Sequence, residues 1–137
     1  MENKFRPKIN SLRKKAKIIK TDDFSSVFNF RKRFSSQYLA MHYQPNTLQY
    51  VRLGLVIGKK VAKLSVSRNY MRRVLREFFR LNQYDICHVD LIIRVQKEFG
   101  KVNFIQIKQE FNSLIYKINQ RVNSNITINL SNNDINK

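Results

Sequence analysis

Residues 68–81, RNYMRRVLREFFRL, restrict the possible folds of this chain more than any other stretch. On an α-helix, at about 100° per residue, Met71, Val74, Leu75 and Phe78 fall into one arc. Arg68, Asn69, Arg72, Arg73, Arg76 and Arg80 fall into another, with Glu77 near its far edge. Such a helix lays its apolar arc on a core and turns the other toward something different. An ordinary solvated face is one reading, but solubility faces mix Glu with Lys in i,i+4 pairs. Here five arginines share a face with one carboxylate, and that imbalance favours a polyanionic partner.

Charge along the chain supports this reading. The net charge is +18 over 137 residues. Residues 1–34 carry eleven basic and three acidic groups, and residues 35–80 carry nine and one. Residues 81–137 carry seven and five, so the excess lies in the first 80. A field of this size opposes folding by self-repulsion unless a polyanion neutralises it, and nucleic acid is the usual one. A membrane surface fits less well: there is no Trp, and the apolar arc of the arginine helix is committed to a core. No apolar run nears the roughly 20 residues of a span, and no signal peptide is evident. The single cysteine, Cys87, excludes an internal disulfide and fits a reducing cytoplasm. With His42 and His88 the only histidines, a zinc site is hard to assemble.

The length suits one domain. We read residues 1–16 as a flexible basic arm, 17–121 as the folded domain and 122–137 as a loosely ordered, Asn-rich tail. Thr21 or Asp22 can cap a helix over 22–30 that carries Phe24, Val27 and Phe28 along one side. Arg31-Lys32-Arg33 ends it, and Ser35-Ser36 marks a loop. Tyr38 to Tyr43 reads as a strand, with Tyr38, Ala40 and His42 on one face. Tyr50 to Ile57 is the clearest strand, with Val51, Leu53, Leu55 and Ile57 alternating. Ser65 or Ser67 can cap the arginine helix, and Val89–Val95 reads as a buried strand. Phe104, Ile107, Phe111, Leu114, Ile115 and Ile118 then follow helical spacing to near Arg121. That order makes a small α+β domain.

No catalytic motif is present: no Gly-rich phosphate loop, no HExxH, no CxxC and no carboxylates paired by spacing. The chain does interleave aromatics with bases: Phe24, Phe28, Tyr38, Tyr43 and Tyr50 among Arg31, Lys32, Arg33 and Arg52. Single-stranded RNA is held by such stacking surfaces in a cationic groove. Guanidinium forks, which bind phosphate bidentately, suit structured RNA. Double-stranded DNA competes as a ligand, but nothing resembles a helix-turn-helix pair.

Lys59-Lys60, a short spacer, then Arg68-Asn69, Arg72-Arg73, Arg76-Glu77 and Phe79-Arg80 together resemble the signature of the bacterial ribonuclease P protein subunit. Gly54-Leu55-Val56-Ile57-Gly58 resembles that family's strand leading into the paired lysines. Lys17-Ile18, Asp23-Phe24, Phe28 and the run Arg31 to Ser36 resemble its first helix and following loop. Three positions depart from the pattern. Tyr70 stands where the family usually has Arg, Arg72-Arg73 where it has Lys-Arg, and Ala62 where many members have Gly.

The resemblance implies a subunit without catalytic residues of its own. It would bind a catalytic RNA that uses magnesium to remove the 5′ leader of precursor tRNA in the cytoplasm. No organic cofactor and no obligate protein partner are implied. Lys59, Lys60, Arg68, Asn69, Arg72, Arg73 and Arg76 would face the catalytic RNA. Phe24, Phe28, Arg31, Tyr38 and Arg52 would line a groove for the leader. The implied fold is a single-domain α-β-β-β-α-β-α sandwich, like the second domain of a small-subunit ribosomal protein. Its arginine helix lies in a left-handed βαβ crossover, against the general right-handed rule. The other class that the residues allow is a stand-alone basic RNA-binding protein of ribosomal or chaperone type.

Overall fold

The computed structural model describes the backbone of residues 21–135 and the side chains of residues 23–124. The basic arm at 1–16, the Lys17-Ile18 pair and the capping side chains of Thr21 and Asp22 lie outside the described set.

Helix α1 spans Thr21–Phe30. It stops at Arg31, whose φ of 62° is left-handed, a common way to end a helix but an unusual one without glycine. The chain then pairs at once. β1 (Arg33–Ser35) runs antiparallel to β2 (Leu39–Pro45), with Phe34 opposite Met41. Ser35, expected in a loop, therefore closes a strand; three residues are too few for alternation to reveal one.

β3 (Arg52–Val56) leads into α2 (Ser65–Asn82), which returns to β4 (Val89–Val95). β4 lies between β2, antiparallel, and β3, parallel, so the sheet order is β1-β2-β4-β3. Parallel neighbours need a long crossover, and α2 supplies it. Helix α3 follows as Phe104–Ile135. It continues beyond Arg121, where the apolar spacing ends, because no Gly or Pro interrupts the Asn-rich segment. The order of elements is the α-β-β-β-α-β-α that the resemblance implies.

Strand alternation divides the core. Leu39, Met41, Tyr43, Leu53, Leu91, Ile93 and Val95 face α2 and α3. There they meet Met71, Leu75 and Phe79 of α2 and Ile107, Phe111, Leu114 and Ile118 of α3. Phe79 is fully buried, so the apolar arc of the arginine helix is wider than the four residues assigned to it. Ile92 faces the opposite way, where Val27 of α1 covers it and Phe24, Phe28 and Val56 pack alongside. The Glu110 carboxylate on α3 accepts hydrogen bonds from the Ser36 hydroxyl and from the Tyr38 N–H (2.9 Å), which fixes the β1–β2 connection over the core.

Candidate nucleic-acid interface

The polar face of α2 forms one shallow groove lined by Asn69, Arg72, Arg73, Arg76, Glu77 and Arg80. Among the described residues Glu77 pairs with Arg80 alone, through an ion pair one turn along. Its hydrogen bond pushes the Arg80 guanidinium pKa up. Arg72 donates to Asn69 Oδ1 at 3.2 Å. Arg73 and Arg76 are exposed and, among the described residues, have no carboxylate partner. Lys59 and Lys60 stand exposed in the turn after β3.

Arg68 acts differently. Its Nη1 donates to the carbonyls of Ala62 (2.8 Å) and Lys63 (2.9 Å), tying the lysine-bearing loop to the helix. Neither Ser65 nor Ser67 caps α2. The cap position is Leu64, with no side-chain hydrogen bond, because the helix starts before either serine can precede it. No acidic residue sits in the first turn either. The free N–H groups and positive dipole end of this 18-residue helix thus add to the attraction for anions.

Tyr70, at the departure from the family pattern, belongs to packing. Its ring meets Phe99 at 6.3 Å, and Phe99 meets Tyr38 edge-on at 6.4 Å. Tyr38 is therefore built into the α2–α3 side of the sheet, with its hydroxyl accepting from Asn103 and Lys97 over its ring. It lies just before β2 begins, where strand alternation no longer fixes its direction. The expected grouping of Tyr38 with Phe24 and Phe28 does not form.

Phe24 and Phe28 do pack against the same Val27–Ile92 cluster on the α1 side, half-buried over the sheet. Arg31 sits exposed at the end of α1. Arg52 is close by, but each of its three guanidinium nitrogens already has a carboxylate partner. Its Nε donates to Asp90 Oδ1 (2.8 Å), its Nη2 to Asp90 Oδ2 (2.5 Å) and its Nη1 to Asp23 Oδ2 (3.3 Å). The Asp90 hydrogen bonds raise the Arg52 pKa further above its already high value. Arg52 is a strut between α1 and the sheet. The strand residue that borders the groove is His42, whose ring meets Phe28 at 4.8 Å and 72°. Alternation through Ala40 and His42 carries that signal in the sequence, whereas Tyr38, assigned to the same face, precedes the strand and lies outside its alternation. Burial pushes the Cys87 thiol pKa up, as suits a small packed residue rather than a nucleophile.

These features define a class: a one-domain α+β scaffold with an arginine-rich helix on one side of its sheet and half-buried phenylalanines on the other. The chain belongs to the ribonuclease P family, whose model, described as Ribonuclease P, matches residues 12–119. It is 45% identical over 89 residues to the ribonuclease P protein component of Chromobacterium violaceum, covering 65% of this chain and 74% of that one. The corresponding component of Azoarcus sp. is 36% identical over 104 residues, 76% and 87% of the two chains. The RNase P protein from Thermotoga maritima superposes with a TM-score of 0.67 at 28% identity, over 74% of this chain and 96% of that one.

Proposed function

We propose that this chain is the subunit that docks a catalytic RNA through the solvent face of α2 and steadies the 5′ leader of precursor tRNA on the Phe24–Phe28 groove. The observation that carries the reading is the pair of uncompensated arginines, Arg73 and Arg76, on a helix whose buried side is fully used by the core. Arg72, Asn69, Lys59 and Lys60 extend that face toward the docked RNA, while Arg68 holds the lysine turn in position. The two phenylalanines lie across the sheet from α2, so one protein can hold two RNA segments at once.

Among the described residues no three His, Cys, Asp or Glu side chains gather to ligate a metal. We assign the magnesium to the RNA, together with the hydrolytic step. Work on precursor tRNA also assigns the protein to the cytoplasm; among the described residues no helix is long and apolar enough to cross a membrane. The test is precursor-tRNA cleavage at low magnesium by the catalytic RNA alone and with the protein added. The protein should restore cleavage. Unchanged cleavage would leave a stand-alone RNA binder.

A further inference from the structure

The α1 side of the sheet holds a cationic cluster that the docking roles above do not use. Arg33 on β1 is the direct partner of His42 on β2. On the other side His42 pairs with Ile92, which places Arg94 diagonally from it on the same face. Such neighbours lie roughly 5–8 Å apart. Phe28 closes the cluster from α1.

His42 is 8% exposed, and its buried Nε2 has no hydrogen-bond partner among the described residues. The Nε of Arg94 is likewise buried and unpartnered. Buried polar atoms are nearly always paired, so two orphans on one face need an explanation. The nearby carboxylates do not provide one. Asp90 on β4 is held by Arg52 and Asn46, and Asp23 on α1 by Arg52. On β2, Gln44 accepts from Ser26 of α1. Among the described side chains, the excess positive charge beside His42 is thus unbalanced from β1 and β4 alike, and the one described acid on α1, Asp23, is already held by Arg52. Burial, and then Arg94 and Arg33, depress the His42 pKa below its ordinary value.

We propose that Arg33, His42 and Arg94 form an anion site in the groove that takes a backbone phosphate of single-stranded RNA, and that protonation of His42 tightens it. The inference rests on the groove reading given above and specifies its chemistry. Phe28 offers a base its face, while the arginines beside it meet the adjoining phosphate. A phosphate there replaces repulsion of the imidazolium by attraction. By linkage, whatever eases His42 protonation is itself bound more tightly once His42 is protonated.

The chain has two histidines, and exposed His88 serves as an internal control. We would titrate both by NMR in the full chain, free and saturated with a single-stranded pentaribonucleotide. A second probe is the same sequence with uncharged methylphosphonate linkages. The charged oligonucleotide should raise the His42 pKa and leave His88 in place, whereas the uncharged one should move neither. The affinity of the charged oligonucleotide should grow by about tenfold from about pH 7.5 to about pH 5.5, within the usual span of coupling between sites. Arg94→Gln should abolish both effects. Arg33→Gln, on the exposed edge strand, gives the same loss without touching a buried position. If Phe28 resonances respond while the His42 pKa stays put, the anion site is refuted and the groove reading stands. If neither responds, both fall.

Discussion

Arg52 provides the sharpest test, because sequence and structure assign it different work. With 19% of its side chain exposed, it grips Asp90, 10% exposed, through two hydrogen bonds and reaches Asp23 on α1 with a third donor. Removing one partner of a largely buried pair leaves the other charge stranded, at a cost of about 3–5 kcal/mol. Asp90 keeps one hydrogen bond from Asn46, so the lower end applies. Arg52→Ala should therefore destabilise the protein by about 3 kcal/mol, lowering Tm by roughly 10 °C for a domain of this size. Arg52→Ala combined with Asp90→Asn should recover part of that loss, since no charge is left stranded. Urea unfolding of wild type, both single variants and the double variant measures the coupling. If Arg52→Ala costs under about 0.5 kcal/mol, as a surface change would, and only weakens leader binding, the strut reading is wrong.

Other expectations follow from the same geometry. Arg73→Ala with Arg76→Ala should flatten the salt dependence of catalytic-RNA binding by about two, roughly one per lost phosphate contact, without changing Tm. Phe28→Ala should reduce the preference for leader-bearing precursor over mature tRNA in competition binding; a change in thermal stability alone would make Phe28 purely a core residue. Phe79→Ala should cost about 3–5 kcal/mol in denaturant unfolding, because the ring is fully buried between the sheet and α3. The depressed His42 pKa means that the unfolded chain takes up a proton more readily than the folded one. The stability due to neutral His42 is complete above about pH 6.5 and is lost as pH falls toward the lower folded value, and His42→Asn should flatten that profile.

Much of this was legible in the residues. The apolar stripes of α2 and α3 and the alternation in β3 fixed which faces are buried, because burial imposes a period on long elements. β1 was not legible, since a three-residue edge strand has no period to show. The α2 cap was misplaced because Ser65 and Ser67 both favour that position locally, while the tie from Arg68 to the loop carbonyls is visible only in three dimensions. Basic residues were also sorted by type rather than by partner. Arg52 and Arg73 look equally available in a string of letters, yet two aspartates distant in sequence occupy the first, and among the described residues no carboxylate pairs with the second. His42 shows the converse: a lone histidine on an alternating strand gains meaning only when Arg33 and Arg94 arrive from neighbouring strands.

The crossover position of α2 also has a kinetic consequence. Arg52 and Asp90 lie 38 residues apart in sequence, and the parallel pairing that joins them must close across the whole arginine helix. Non-local closure of this kind slows folding, and here the intervening loop carries much of the chain's positive charge, which repels itself as it compacts. Closure of the β3–β4 pairing around α2 should therefore be slow and sensitive to salt. The refolding limb of a chevron should accelerate as ionic strength rises, and a polyanion added during refolding should act as a folding catalyst before it acts as a ligand.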